Sequence, residues 1–155
     1  MAVTSAAERA AELLGDLDDG MDAGRARIAN WLQNGPGGVI EVADVSMALL
    51  GAVRTMARAV GWSTEQTELV AVSFAPAVTV NVDRTVASQA AADAVRAALA
   101  SDPDGAREAL MRLGDGVETL GWITLTTAEL VYELAHWCRA AGATKPAWIP
   151  AATRG

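Results

Sequence analysis

The sequence feature that most constrains the fold is the segment from Val117 to Ala141, which is apolar on nearly every side when it is arranged as a helix. Gly142 follows it, and glycine is a favourable residue just past a helix end. A helix with so little polar surface lies at the centre of a core or is covered by a partner. We therefore predict that this last helix is the central element. Its large apolar side chains and its cysteine are Leu120, Trp122, Ile123, Leu125, Leu130, Val131, Leu134, Trp137 and Cys138.

Helical periodicity extends over much of the remaining chain. Between Glu41 and Val60, apolar side chains recur every three or four residues, which indicates an amphipathic helix. The other predicted helices cover residues 4–14, ended by Gly15, then 22–33 and 84–100. The sequence therefore predicts an all-α protein, a single-domain bundle of about six or seven helices in which residues 117–141 form the central helix.

Two short motifs predict helix starts. Ser63 with Gln66 three residues later has the spacing of a capping box, in which the serine hydroxyl accepts from a backbone N–H. Asp102 followed by Pro103 places a capping carboxylate before a proline at the first helical position, and we expect that short helix to end at Gly114.

The strongest break in the pattern is the Gly/Pro-rich stretch at residues 35–38. It predicts a linker between an N-terminal helical hairpin, residues 1–34, and a main bundle, residues 39–142, followed by a Pro/Trp tail at 143–155. Residues 77–82 alternate as in a strand, but their valines also fit helical spacing. We favour a helix there because the only possible pairing partner is the stretch at residues 39–42.

Composition favours helix and points to an origin. The chain holds 34 Ala, and alanine is the best intrinsic helix former. It also holds 11 Arg but one Lys, Lys145. Such a bias is typical of GC-rich coding, so we expect a high-GC bacterium or one of its phages as the source.

Charge and cysteine content exclude several classes. The formal net charge is −7, which argues against nucleic acid and against anionic membranes as partners. The single cysteine excludes an internal disulfide framework. The longest uncharged apolar stretch, Leu69 to Val82, is shorter than the roughly 20 residues of a membrane span and contains Pro76. The N-terminal residues lack the pattern of a secretory signal, so a cytoplasmic protein is expected.

The sharpest candidate for chemistry is a carboxylate and histidine stripe on the last helix. Glu129, Glu133 and His136 fall on one side of it, and the last two form a Glu-x-x-His pair. Ferritin-like proteins hold iron or manganese with two such pairs, and this chain has one histidine. A metal site there therefore needs a second half-site from a dimer. The alternative is a solvated stripe on an otherwise buried helix.

Other catalytic or ligand motifs fail. The acidic stretch between Asp16 and Asp22 has Arg27 where an EF-hand requires Glu, so a solvated loop is expected. The glycines of residues 35–38 lack the Lys-Ser/Thr of a phosphate-binding loop. Cys138 is two residues from His136, a spacing that points their side chains apart on a helix. The sequence thus favours a protein without enzymatic activity.

The tryptophans supply the remaining hypothesis. Four of the five, Trp31, Trp62, Trp122 and Trp137, adjoin apolar helical faces and are expected in the core. Trp148 and Ile149 lie between prolines in the tail, which either docks on its own domain or anchors a partner. We therefore predict a non-enzymatic helical protein–protein interaction or assembly protein, whose partner is another protein or further copies of itself in a homo-oligomer. A metal-binding bundle and a small-molecule-binding bundle are the alternatives.

Overall fold

The computed structural model describes residues 6–33, 36–67, 84–111 and 117–143, and within these ranges helix is the one regular secondary structure. Seven helices run through them, so the predicted all-α bundle is confirmed. The helices are α1 (Ala6–Asp18), α2 (Met21–Leu32), α3 (Pro36–Val60), α4 (described over residues 64–67), α5 (Arg84–Leu99), α6 (Pro103–Leu110) and α7 (Val117–Ala141).

The centre of the bundle is the pair formed by α3 and α7, each 25 residues long. The Ser46 and Thr124 hydroxyl oxygens lie 2.6 Å apart, and further along both helices the Cys138 Sγ lies 3.9 Å from the Met56 carbonyl oxygen. Since both contacts advance in the same direction along the chain, the two helices run parallel. α7 also packs on α1, α2 and α5. The prediction that the last helix is central is confirmed.

One continuous apolar core joins the first two helices to the others. Leu13 and Leu14 of α1 and Ile28 of α2 are buried in the same cluster as the apolar residues of α3, α5, α6 and α7. An ion pair between the partly buried side chains of Arg9 and Glu41 links α1 to α3. The hairpin of α1 and α2 therefore packs on the α3/α7 pair instead of standing apart from it.

The predicted linker at residues 35–38 is wrong over residues 36–38, because α3 begins at Pro36 rather than at Glu41. Proline is tolerated in the first turn of a helix, where its missing N–H has no intrahelical partner. Gly38 is buried, so the apparent break is part of the packed helix. The predicted end of α1 at Gly15 is also wrong, since the helix continues to Asp18 and its Leu17 packs against the core.

The two predicted helix-start motifs are confirmed. The Ser63 hydroxyl accepts a hydrogen bond from the Gln66 backbone N–H at 3.1 Å. The Asp102 carboxylate accepts from the Gly105 backbone N–H at 3.0 Å, and Pro103 follows it in the first turn of α6. That helix ends at Leu110, earlier than the expected Gly114.

Three helices end in the same backbone arrangement. In α3 the Trp62 N–H donates to the Ala57 carbonyl, in α7 the Ala143 N–H donates to the Cys138 carbonyl, and in α5 the Asp102 N–H donates to the Ala97 carbonyl. This Schellman motif needs a left-handed residue before the donor. Gly61 and Gly142 supply it with φ of 77° and 69°, but after α5 the residue is Ser101 with φ 62°.

Replacing Ser101 by glycine is expected to stabilise the protein. A left-handed backbone is sterically unfavourable for a residue with a Cβ and is readily adopted by glycine. We expect the Ser101→Gly variant to gain about 0.5–1 kcal/mol in free energy of unfolding. The gain is limited to this range because the greater flexibility of glycine in the unfolded chain offsets part of the relief. Urea unfolding followed by circular dichroism measures it. A loss of stability would contradict the left-handed assignment.

Some predictions concern residues outside the described ranges. Residues 77–82 and the tail with Trp148 and Ile149 lie there, so their helical, docked or partner-binding character stays a prediction. Among the described residues, no helix combines the length and the apolar character needed to cross a membrane.

Candidate functional site

The three residues of the predicted metal site lie on α7 but are not brought together as a metal site. Glu129 and Glu133 are half-buried, whereas His136 is exposed. Within the described ranges, no group of three His, Cys, Asp or Glu side chains is arranged to hold a metal ion. The hypothesis of an iron or manganese site completed by dimerisation therefore draws no support from the arrangement within one chain, and it stays a prediction.

Of the carboxylates in the described ranges, Glu129 has the pKa that departs most from its ordinary value. Burial raises the pKa of its carboxyl group from the ordinary 4.5 to about 7. In the described part of the chain, no hydrogen bond or ion pair joins Glu129 to a cation that would offset this effect. Because burial disfavours the charged form, the folded protein holds this proton more tightly than the unfolded chain does.

This raised pKa predicts a pH-dependent effect of the Glu129→Gln substitution. Between about pH 4.5 and pH 7 the folded state binds more protons than the unfolded state, so the free energy of unfolding falls as the pH rises through that window. Glutamine does not titrate. At pH 8 we expect the variant to be more stable than the wild type by about 1–2 kcal/mol, a range reduced for the partial exposure of the side chain.

The comparison is made by urea unfolding at pH 4.5 and at pH 8. The difference between Glu129→Gln and the wild type is expected to shrink towards zero at the lower pH. Glu108→Gln serves as the matched control, because Glu108 is exposed on α6. An equal difference at both pH values would show that burial does not perturb the Glu129 carboxyl group.

Cys138 occupies a structural position. Its side chain is buried, and its thiol donates towards the Met56 carbonyl oxygen at 3.9 Å. His136 is exposed two residues earlier on the same helix. The two side chains therefore point to different sides of α7, as the spacing predicts, and do not form a nucleophile and base pair.

The acidic α1–α2 turn is tied to neighbouring side chains. Arg27 forms ion pairs with Asp16 and, at 3.1 Å, with Glu12, and the Tyr132 hydroxyl of α7 donates to Asp18. Hydrogen bonding to Asp16 raises the pKa of Arg27 further above its usual range. The Arg27 pairs link α2 to α1, and the Tyr132 contact links the turn to α7. Asp16 and Asp18, which the sequence places in a solvated loop, therefore have structural roles.

The most exposed tryptophan of the described residues lies where α3 and α7 end side by side. Trp137 in the last turns of α7 is 49% exposed, although it is predicted to be a core residue. It meets Trp62, which follows α3, with ring centroids 6.1 Å apart and an interplanar angle of 66°. This edge-to-face geometry is favourable for aromatic pairs. By contrast, Trp31 is 6% exposed and lies in the core as predicted.

The polar residues near Trp137 in the sequence indicate its exposure. It stands between His136 and Arg139 at the end of the helix, and both of these neighbours are exposed. An apolar residue among polar ones near a helix end extends past the elements that cover the middle of the helix. We call the surface formed by Trp62 and Trp137 the aromatic end of the bundle.

Two further large apolar side chains are exposed elsewhere in the described ranges. Ile40 on α3 is 57% exposed, and Met111 just after α6 is 39% exposed. Each lies four residues from a member of the ion pair between Asp44 and Arg107, whose atoms are 2.7 Å apart. This second surface is aliphatic and lacks the aromatic contact of the first.

Comparison with protein-family models, with curated proteins and with solved structures finds no match to this chain. The function is therefore argued from the geometry of the aromatic end and of the residues beside it on α7.

Proposed function

We propose that the protein is a non-enzymatic interaction protein that binds another polypeptide through the aromatic end of the bundle. The observation that carries the proposal is the half-exposed ring of Trp137 held against Trp62. Tryptophan is enriched among the residues that dominate binding energy at protein interfaces. An exposed ring that is already fixed by a neighbour is a suitable anchor for a partner.

The exposed surface is large enough to matter for binding. A tryptophan side chain buries up to roughly 250 Å². With 49% of the residue exposed, about 120 Å² of Trp137 remains for a partner to cover. At roughly 25 cal/mol per Å², burying it contributes about 3 kcal/mol. A contribution of that size exceeds the roughly 2 kcal/mol that defines the few dominant residues at measured interfaces.

The aromatic end is also held in place before binding. The Trp62 N–H is the donor of the Schellman motif that ends α3, and Trp137 directly precedes Cys138, whose carbonyl accepts in the corresponding motif of α7. The parallel contacts of Cys138 with Met56 and of Thr124 with Ser46 fix the two helices relative to each other. A partner therefore binds a surface whose side chains lose little conformational freedom, which favours affinity.

Site-specific photo-crosslinking tests the proposal. A photoreactive amino acid replaces Ala140, which is exposed one turn beyond Trp137, and in a matched control it replaces Ala26, which is exposed on α2. Both variants are produced in cells of the source organism and irradiated there. We expect one discrete protein adduct from position 140 and none from position 26. No adduct from position 140, or the same adducts from both positions, would contradict the proposal.

A further inference from the structure

The side of α7 that carries Trp137 also carries two acidic side chains. Glu129, Glu133 and Trp137 follow one another at intervals of four residues, so they form a continuous stripe along the helix. The residues that contact α3, Thr124 and Cys138, lie on the other side of the helix. We call Glu129, Glu133 and Trp137 the α7 stripe.

The carboxylates of the stripe differ from many others in the molecule. Glu41, Asp44 and Asp93 each form an ion pair with an arginine, and so do Glu12 and Asp16. Among the described residues, none of the ion pairs or side-chain hydrogen bonds involves Glu129 or Glu133. Glu133 therefore offers a carboxylate one turn from the exposed ring of Trp137, in a chain whose formal net charge is −7. Glu129, one further turn away, adds a second negative charge only as the pH rises through about 7, because burial raises its pKa.

This combination selects a cationic partner. A guanidinium group stacks on the face of a tryptophan ring, and the same group or a neighbouring one pairs with a carboxylate one turn away. A second copy of this chain is a poor partner for the same surface, because it brings another acidic stripe and another net charge of −7. Like charges brought together at an interface are unfavourable.

Resting on the proposed function, we propose that the α7 stripe binds an arginine-bearing amphipathic helix of a different protein. One arginine of that helix stacks on Trp137, a second pairs with Glu133 one turn away, and its apolar residues cover the remaining surface of the aromatic end. Arginines four residues apart on the partner match the four-residue interval of the stripe.

The probe is a fluorescently labelled 15-residue amphipathic peptide of Leu, Ala and Arg, with the arginines spaced four residues apart. Its binding to the full chain is measured by fluorescence anisotropy at 0.1 M salt. Two control peptides replace every arginine by lysine or by glutamate. We expect the arginine peptide to bind, the lysine peptide to bind several-fold more weakly, and the glutamate peptide not to bind.

Variants of the protein locate the binding surface. We expect Trp137→Ala to raise the dissociation constant at least tenfold and Glu133→Gln to raise it about fivefold. Glu108→Gln, a matched removal of an exposed carboxylate on α6, is expected to leave it unchanged. Circular dichroism of each variant confirms that the helices are retained.

Three results would overturn the inference. The first is equal binding of the arginine and glutamate peptides, and the second is an unchanged affinity in Glu133→Gln. The third is a loss of affinity in Glu108→Gln equal to that in Glu133→Gln, because an equal loss would indicate diffuse attraction to an acidic chain. If the arginine peptide does not bind but position 140 gives a discrete crosslink, the basic partner is rejected and the proposed function is retained. Absence of that crosslink rejects the proposed function itself.

Discussion

Leu134→Ala is expected to destabilise the protein by about 3 kcal/mol. Leu134 lies on α7 with no exposed surface, within the core that α7 shares with α3 and α5. Removing the side chain forfeits its burial and leaves a cavity that the surrounding helices fill only partly, which costs about 2–5 kcal/mol for leucines in protein cores. Since small domains are stable by about 5–15 kcal/mol, this loss is a large fraction of the total.

Urea unfolding at pH 7 measures the effect, and Leu99→Ala is the matched control. Leu99 at the end of α5 is partly buried at the edge of the same core, so the same chemical change there is expected to cost less than about 1.5 kcal/mol. If Leu134→Ala destabilised the protein no more than Leu99→Ala, α7 would not be the central helix.

The second large effect concerns binding. We expect Trp137→Ala to weaken the complex captured by crosslinking from position 140 by about 2–3 kcal/mol, which corresponds to roughly a 30- to 150-fold higher dissociation constant. The reason is the loss of about 120 Å² of aromatic surface that is exposed in the free protein and covered in the complex.

Ile40→Ala is the matched control for this prediction. Ile40 is another exposed large apolar residue, 57% exposed, and it lies on the second surface beside Asp44. Isothermal titration calorimetry with the captured partner gives both dissociation constants. An equal loss of affinity in Ile40→Ala, or an unchanged affinity in Trp137→Ala, would place the interface elsewhere.

Sequence periodicity predicted the features that depend on one helix at a time. The bounds of α7 were predicted at Val117 and Ala141, where the structure has them. The Asp102 cap and the Pro103 start of α6 were predicted because capping uses residues within one turn of each other. The start of α3 at Pro36 was missed because burial of Gly38 in the packed bundle outweighs the weak helix propensity of glycine.

The candidate site could not be predicted in the same way. Periodicity identifies the apolar faces of a helix but not how far the neighbouring helices extend along it. It therefore predicts a core position for Trp137, which is half exposed in the structure. The contact of Trp62 with Trp137 joins residues 75 positions apart, and only the parallel packing of α3 and α7 creates it. The raised pKa of Glu129 likewise depends on burial in three dimensions.

Native mass spectrometry of the protein isolated from its source cells tests the central claim most directly, because it reports bound proteins and bound metals together. The proposed function predicts a complex in which this 16.0 kDa chain carries the added mass of another polypeptide, and it predicts that the complex is lost in Trp137→Ala. A bare monomer would contradict it. A chain or dimer that retains only iron or manganese would contradict it as well, and would favour the site at Glu129, Glu133 and His136.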